Sequence, residues 1–421
     1  MRTMRLVLKS LWHRRLTTLL TLCSIGFSVA LLVGVERIRN GARSSFSGTI
    51  SGTDLIVGAR GGPIQLMLYT VFRMGNATNN ISYEAFEKFS DHPAVAWTIP
   101  YSLGDSHRGY RVVATNENFY EHYRYRRDGR VEWQEGQAPK GIFDVALGSD
   151  VAAKLDYQVG DKIVLAHGVT SGPSLQNHDD KPFQVVGILK RTATPIDRSL
   201  YITLWGMEAI HVDWEDGAPP AYGEEVKAED IDRAGLKIET VTAFLLRSKN
   251  RFEALNLQRE VNEYEDEPLM AVIPGVALSE LWEGISYAED GLRAVSFFVV
   301  VVGLLGMLIS IYNSLNERRR EMAILRSLGA GPGMIASLLV NEAVILTFGG
   351  IVFGLMIMYA LLAVGQPVIE NQFGLYIPIQ GLSLYEYGYL VVILAMAVVM
   401  GLLPAWRAYK NTLQDGLTIR M

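Results

Sequence analysis

The chain has 421 residues, a formal net charge of −5 and a mean hydropathy of only +0.17. The length is sufficient for two or three domains. The negative net charge gives no support to nucleic acid as a partner. The single cysteine, Cys23, excludes an intramolecular disulfide, so cysteine usage does not report the redox compartment.

Four apolar runs are long enough to cross a membrane, which takes about 20 residues of helix. The predicted transmembrane spans, numbered one to four, cover residues 16–36, 291–312, 335–364 and 385–404. The alternative for the first run is a cleaved signal peptide. The run is longer than a typical signal-peptide core and continues into Glu36, Arg37, Ile38 and Arg39, which favours an uncleaved helix.

The positions of Lys and Arg predict the orientation of these spans. Basic residues occur in segments 1–15, 313–334 and 405–421, whereas the loop 365–384 has none. The basic segments are therefore predicted to be cytoplasmic, with both termini inside. The predicted fold is a membrane α-helical protein with four transmembrane helices and a large α+β extracytoplasmic domain, residues 37–290, inserted between helices 1 and 2.

Residues 37–290 mix strand and helix patterns. The pattern predicts strands at Tyr110–Thr115, Lys162–Ala166, Phe183–Leu189, Ala243–Arg247 and Leu269–Ile273, and helices at Asp150–Leu155 and Phe252–Tyr264. This order indicates an α/β lobe beside a more β-rich lobe. The glycine-rich string LIVGARGGP, which begins at Leu55, matches no phosphate-binding fingerprint and is interpreted as a turn.

The predicted outer domain carries no recognisable catalytic or metal motif. No two of the seven histidines have the spacing of a metal-binding pair such as HExxH. The loop Asn177-His178-Asp179-Asp180 contains potential cation ligands, but a short polar loop is more often solvated. Gly148-Ser149-Asp150 lacks the G-x-S-x-G pattern of a nucleophile elbow. We therefore expect neither catalytic residues nor a metal site.

The segment 313–330 reads NSLNERRREMAILRSLGA and predicts a cytoplasmic helix that stops near Gly329. Its charge alone is consistent with a solvated juxtamembrane helix that satisfies the positive-inside rule.

The amino-acid sequence of this segment is more informative than its charge. It resembles the cytoplasmic motif of ABC transporter permeases of the MacB, LolC-LolE and FtsX family, also called type VII or mechanotransmission transporters. Asn341-Glu342-Ala343 and Pro404-Ala405-Trp406-Arg407-Ala408 match further signatures of that family. In the outer domain, LGSDVAAKL, VGDKIVL and VVGILKRTATPIDRSLYI are similar to its recurrent segments, so the resemblance covers essentially the whole chain.

The resemblance implies that the chain is a non-catalytic subunit coupled to a separate cytoplasmic ABC ATPase dimer. The chain has no G-x-x-x-x-G-K-[ST] motif, so ATP and Mg²⁺ would act only through that partner, and the chain itself is expected to bind no cofactor. The residues that the resemblance and topology place in or near the ATPase contact are Glu317, Arg318, Glu321, Arg326, Leu328 and Gly329.

Small residues inside the spans predict close helix packing. They are Gly303 and Gly306 in the second span, and Gly350 and Gly354 in the third. The alternative is that these glycines simply pack helices of one chain against each other. Two further residues are candidates for coupling or packing, Glu342 and Pro404. For Glu342 the alternative is an interfacial carboxylate that reaches the lipid headgroups.

The resemblance implies a bacterial inner-membrane permease that converts ATP hydrolysis into motion of its periplasmic domain. That motion would export or extract a lipoprotein, a lipid or a small molecule. The implied partners are a second permease copy or a homologue, a periplasmic adaptor or lipoprotein, and membrane lipid. The alternative is a membrane receptor or regulator that signals to a cytoplasmic partner; a membrane enzyme is disfavoured because no catalytic constellation is found.

Overall fold

A computed structural model of the chain describes residues 2–168, 178–214, 226–317, 324, 327, 330–373, 377 and 379–415. The chain divides into two compact units. The membrane unit comprises Met1–Gly41, Ser286–Val368 and Ile377–Met421. The soluble unit comprises Ala42–Ile285 and Ile369–Tyr376.

The helices and strands alternate irregularly along the chain. The α-helices are α1 (Arg2–His13), α2 (Arg15–Thr49), α3 (Pro63–Thr70), α4 (Tyr83–Ser90), α5 (Asn118–His122), α6 (Ser149–Leu155), α7 (Leu204–Ile210), α8 (Arg251–Asn262), α9 (Pro274–Glu317), α10 (Pro332–Phe373) and α11 (Leu384–Asp415). The strands are β1 (Leu55–Ala59), β2 (Ile81–Ser82), β3 (Val95–His107), β4 (Tyr110–Thr115), β5 (Arg124–Tyr125), β6 (Gly129–Arg130), β7 (Trp133–Gly136), β8 (Asp144–Leu147), β9 (Lys162–Ile163), β10 (Ala166–His167), β11 (Phe183–Leu189), β12 (Ser199–Thr203), β13 (Thr240–Val241), β14 (Ala243–Ser248) and β15 (Leu269–Val272).

Four of these helices are long and apolar enough to cross a membrane, as the sequence predicted. The candidate spans are Arg15–Thr49 in α2, Pro274–Ser314 in α9, Gly333–Ile369 in α10 and Leu384–Trp406 in α11. The first two helices extend well beyond the predicted spans, because α2 continues to Thr49 and α9 already begins at Pro274. The extra turns belong to the stretch that the sequence analysis assigned to the outer domain.

The soluble unit is built on one mixed sheet. Its strand order is β15-β1-β14-β3-β4-β12-β8-β11-β7, with β10 added to β3 and β9 added to β11. Strand β3 pairs with β14 along its first half and with β4 along its second half. The register of β3 and β4 shifts between Leu103 and Ser106, which marks a bulge in β3.

A hydrophobic cluster covers each face of the central part of this sheet. Successive residues of β4 enter opposite cores, since Val112 and Ala114 belong to one hydrophobic cluster and Val113 belongs to the other. Side chains alternate between the faces of a strand, so a strand covered on both sides must be apolar throughout. This explains why the last four residues of YRVVAT are apolar or small without an alternating pattern.

Two predictions about local structure were wrong. Leu55–Ala59 is strand β1 and only the residues after it form the turn, because β1 lies between β14 and β15 in the sheet interior. Gly58 belongs to this strand; a Cβ there would lie 2.7 Å from Leu66 Cδ1. The single strand predicted at Lys162–Ala166 is divided into β9 and β10, which pair with different partners, β11 and β3.

Candidate functional site

The predicted ATPase contact lies almost entirely beyond the part of the chain that the structure describes. Helix α9 ends at Glu317, whose side chain is among the undescribed ones. The remaining residues of that prediction, which lie outside the described residues, are Arg318, Glu321, Arg326, Leu328 and Gly329. The ATPase contact therefore stays a prediction.

The glycines of α10 pack against α2 of the same chain. A Cβ on Gly354 would lie 2.5 Å from the carbonyl oxygen of Gly26, and one on Gly350 would lie 2.6 Å from Ile25 Cγ2. Any side chain at Gly354 would collide with backbone, which cannot yield as a flexible side chain does. The interpretation as packing within one chain is therefore the one that the structure supports for these two residues.

The glycines of α9 also face α2. A Cβ on Gly303 would lie 2.8 Å from Ser28 Oγ, and one on Gly306 would lie 3.9 Å from Ser24 Oγ. The Ser28 hydroxyl donates to the carbonyl of Ser24 at 2.8 Å and lies 3.1 Å from the carbonyl of Val299 in α9. Helix α2 is therefore the element against which both glycine pairs pack.

The other two predicted residues of the membrane unit are buried. Glu342 in α10 is only 4% exposed, and both interpretations of its role stay predictions. Pro404 lies inside α11, where its missing N–H removes one helical hydrogen bond and predisposes the helix to bend.

The membrane unit contains a buried ion pair that the sequence analysis missed. Arg37 Nε lies 2.6 Å from Glu386 Oε1, and Nη2 lies 3.0 Å from Oε2. The arginine also donates to the carbonyls of Gln380 at 3.0 Å and Gly381 at 2.6 Å, while the Ser383 N–H donates to Glu386 at 2.6 Å. Both charges are thus neutralised and hydrogen-bonded, which is the condition for burying a charge.

A second ionic group joins α2 to α9 within the membrane unit. Arg39 lies 2.5 Å from Glu36 and 3.1 Å from Glu289. Arg293 completes the group, 3.7 Å from Glu36. The charged residues that follow the first apolar run are therefore connections between helices rather than a solvated flank.

In the soluble unit, the fold gathers four potential metal ligands, which we call the histidine–aspartate cluster: Asp105, His167, His178 and His211. Asp105 lies in the bulge of β3, and His167 lies opposite it in β10. His178 is held by the hydrogen bond from its backbone N–H to the Leu165 carbonyl, and His211 follows the last residue of α7.

The potential ligand atoms of this cluster all lie within 4.8 Å of one another. His167 Nδ1 is 3.2 Å from His211 Nε2 and 3.3 Å from Asp105 Oδ1. Asp105 Oδ2 is 3.8 Å from His178 Nε2 and 3.7 Å from His211 Nε2. The side chains of Asp105 and His178 are 0% and 1% exposed, so bulk water does not solvate them.

The cluster is supported by an outer layer of contacts. The Trp214 ring lies against all three imidazoles, with centroid distances of 4.8 Å to His167, 5.0 Å to His178 and 5.3 Å to His211. Burial lowers the pKa of His178, whereas the interaction with the Asp105 carboxylate raises the pKa of His167.

The sequence analysis expected no metal site, and this expectation missed a group that can hold a metal ion. It considered His178 only together with its sequence neighbours, whereas the structure combines it with residues far away in the chain. The concentration of three of the seven histidines between positions 167 and 211 was the available signal. The fourth residue, Asp105, could not be identified, because its role depends on strand pairing and a bulge.

Two families match the chain. The MacB-like periplasmic core domain matches residues 18–242, more than half of the chain, and the FtsX-like permease C-terminal domain matches residues 293–413. No curated protein sequence matches significantly.

The solved structures that are similar to the chain include two soluble regions of transporters. The periplasmic region of MacB from Actinobacillus actinomycetemcomitans is 8% identical, with a TM-score of 0.33, over 55% of this chain and 94% of that one. The extracellular domain of the noncanonic ABC-type transporter YknZ from Gram-positive bacteria is 9% identical, with a TM-score of 0.31, over 52% of this chain and 98% of that one.

Four candidate transmembrane helices with an α+β domain inserted after the first define a multi-pass membrane permease. The chain belongs to the MacB/FtsX-like family of ABC transporter permeases. The predicted family is thereby confirmed. Permeases of this family are generally non-catalytic and work with cytoplasmic ABC ATPases.

Proposed function

We propose that this permease couples ATP hydrolysis by a separate cytoplasmic ATPase to movement of its soluble domain, and that this movement exports or extracts an envelope substrate. The observation that carries the proposal is the continuity of α9. This single helix begins at Pro274, two residues after the last strand of the soluble unit, and ends at Glu317, where the arginine-rich segment begins. A continuous helix transmits displacement better than a flexible linker does, because its backbone hydrogen bonds resist bending.

The proposed orientation of the chain in the membrane follows from the positions of Lys and Arg. The segments rich in Lys and Arg are placed in the cytoplasm, with both termini, and the soluble domain is placed in the periplasm. The segment that follows Glu317 then faces the ATPase, where its arginines suit bidentate pairing with carboxylates of a partner. Two permease copies, or one copy and a homologue, would complete the transporter.

Charge reversal in the coupling segment tests the ATPase contact. We expect the wild-type permease to co-purify with its ATPase from detergent-solubilised membranes, and Glu321→Lys to reduce the recovered ATPase by about tenfold or more, equivalent to about 1.4 kcal/mol. Glu84→Lys makes the same charge change at an exposed position of α4 and should leave recovery unchanged. Recovery of no ATPase with the wild-type protein would favour the receptor alternative.

A helix break in α9 tests the transmission of motion. In Gly291→Pro, the proline removes a hydrogen bond and clashes with the preceding turn, whereas Gly291→Ala keeps the helix intact. The measurement is hydrogen–deuterium exchange of soluble-domain peptides, with the permease–ATPase complex either nucleotide-free or trapped with ADP and vanadate.

We expect a nucleotide-dependent change of exchange in the wild-type protein and in Gly291→Ala. In Gly291→Pro this change should disappear while the ATPase still co-purifies. A nucleotide-dependent change that survives the proline would rule out transmission through α9.

A further inference from the structure

We propose that the histidine–aspartate cluster of the soluble unit is a binding site for one Zn²⁺ ion, held by Asp105, His167, His178 and His211. The ion would join β3, β10, the segment that contains His178 and the end of α7. Nothing in the coupling mechanism proposed above requires this site, so the two proposals can fail independently.

The spacing of the donor atoms fits a tetrahedral ion. Zn²⁺ binds imidazole nitrogen and carboxylate oxygen at about 2.0–2.1 Å, so two ligands of a regular tetrahedron lie about 3.3 Å apart. Four separations given above, measured to either oxygen of Asp105, range from 3.2 Å, between His167 and His211, to 3.8 Å, between His178 and Asp105. One ligand atom from each of the four residues lies within 4.8 Å of the other three, so a small contraction around an ion would complete the tetrahedron.

Protons alone do not satisfy the cluster. His167 Nδ1 and His211 Nε2 lie 3.2 Å apart, and a proton shared between them leaves Asp105 without a donor. Both oxygens of Asp105 and the Nε2 atom of His178 are buried without a hydrogen-bond partner among the residues that the structure describes. A buried carboxylate without donors is costly, and a bound cation removes that cost.

Lys181, the lysine closest in sequence to His178, forms ion pairs with carboxylates other than Asp105. Lys181 is 1% exposed and follows His178 by three residues, but its ammonium lies 2.8 Å from Asp213 and 2.7 Å from Asp180. This ion pair neutralises Lys181 without Asp105. The negative charge of Asp105 therefore has only imidazoles as its ion-pair partners in the described part of the chain.

The tautomer of His211 is suited to metal binding. Its Nδ1 atom lies 3.0 Å from the Met207 carbonyl, which can only accept, so Nδ1 carries the proton and Nε2 presents a lone pair. A hydrogen bond from the non-ligating nitrogen to a carbonyl usually fixes the tautomer and orientation of a metal-bound histidine. Trp214 lies against all three rings.

The donor set indicates a transition metal. Three imidazoles and one carboxylate suit Zn²⁺, Cu²⁺ and Ni²⁺, whereas Mg²⁺ and Ca²⁺ prefer a larger number of oxygen ligands. A tetrahedral arrangement of four ligands favours Zn²⁺, because Cu²⁺ and Ni²⁺ prefer square-planar or tetragonal sites. Four protein ligands fill a tetrahedral site, and such closed sites are structural rather than catalytic. We therefore expect Zn²⁺ to stabilise the soluble unit and not to perform chemistry there.

The first test uses the full-length permease in detergent, purified without a histidine tag and freed of metal with a chelator. Titration with Zn²⁺ alone should show one tightly bound ion per chain by elemental analysis. It should also raise the midpoint of thermal unfolding by about 5 °C or more at a 100-fold excess over Kd. Co²⁺ should give the intense visible absorption of a tetrahedral site.

Two variants and a control assign the ligands. His178→Ala and Asp105→Asn should each weaken Zn²⁺ binding by at least about 100-fold, since removing a residue that only orients a ligand already costs about 10–100-fold. His122→Ala changes a histidine of the same domain that lies against Trp97, away from the cluster, and should bind Zn²⁺ as the wild-type protein does.

Two outcomes would overturn the proposal. One is a wild-type protein that retains no Zn²⁺ and gives no tetrahedral Co²⁺ spectrum, a result that does not depend on any variant folding. Another is unchanged Zn²⁺ affinity in both ligand variants, which would place the ion elsewhere.

Discussion

The two units of this permease each bury a polar cluster, and the clusters differ in how their charges are satisfied. In the membrane unit, the charges of Arg37 and Glu386 neutralise each other and accept or donate additional hydrogen bonds. In the soluble unit, Asp105 is surrounded by imidazoles, and neither of its oxygens has a hydrogen bond from the described residues.

This difference separates a structural connection from a binding site. The cost of burying a charge is offset either by partners within the protein or by a ligand. The Arg37–Glu386 pair contains its own compensation and needs nothing further. The histidine–aspartate cluster presents lone pairs to one point, which is why we assign it a cation.

The largest effect is expected from breaking the Arg37–Glu386 ion pair of the membrane unit. Glu386→Gln leaves the Arg37 guanidinium buried without a counter-charge and should destabilise the membrane unit by about 3–5 kcal/mol. We expect low recovery in the membrane and a lower midpoint of thermal unfolding in detergent. The double variant Arg37→Met/Glu386→Leu should recover much of the loss, because no unpaired charge remains. An unaffected single variant would mean that the pair is unimportant for stability.

Removing the charge of the histidine–aspartate cluster should have the opposite effect on stability when no metal is present. Asp105→Asn removes a buried charge that lacks donors, so the metal-free variant should unfold no lower than the metal-free wild-type protein. With Zn²⁺ at 100 times Kd, the wild-type protein gains about 2.7 kcal/mol and the variant gains little. Thermal unfolding with and without Zn²⁺ measures both the metal-free stability and the gain from the metal. Glu84→Gln, at an exposed position, is the control. A metal-free Asp105→Asn protein that is strongly destabilised would contradict the comparison.

Packing in the membrane unit should be nearly as sensitive as its charges. Gly354→Ala forces α10 and α2 apart, because the added Cβ would lie 2.5 Å from a backbone oxygen, and should cost about 1–3 kcal/mol. Gly388→Ala, in α11 with no atom within 4 Å of the added Cβ, is the matched control. Equal unfolding midpoints for the two variants would show that the helices separate freely at Gly354.

A half-buried acid of the soluble unit, Glu208, should show the smallest effect. Burial, and next the charge of Glu239, raise the pKa of Glu208 to about 7 from its ordinary value of 4.5. The folded state therefore favours the protonated form. The stability contributed by that proton is complete below about pH 4.5 and is lost as the pH rises through about 7.

Glu208→Gln should remove this dependence and stabilise the protein at pH 8 by about 1 kcal/mol, a figure reduced for the partial exposure of the side chain. The measurement is the difference in unfolding midpoint between variant and wild type at pH 5 and pH 8. A difference that does not grow with pH would show that Glu208 is already ionised at pH 5.

The sequence predicted the parts of the fold that depend on composition within one segment. The four spans were recognisable because a helix must satisfy its own backbone in lipid, which demands about 20 consecutive apolar residues. Strand β4 was recognisable because a hydrophobic cluster covers each of its faces. Strand β1 was missed, because its sequence LIVGA is too short to differ from the start of a glycine-rich turn.

The amino-acid sequence by itself determined the spans, the family and the segment predicted to contact the ATPase, since each is written in neighbouring residues. Only the tertiary structure decided the partners of Arg37 and Asp105. Their contacts join residues hundreds of positions apart or depend on a bulge in one strand. Such contacts leave no local pattern, because the distance between two side chains is set by the packing of whole elements and not by their separation along the chain.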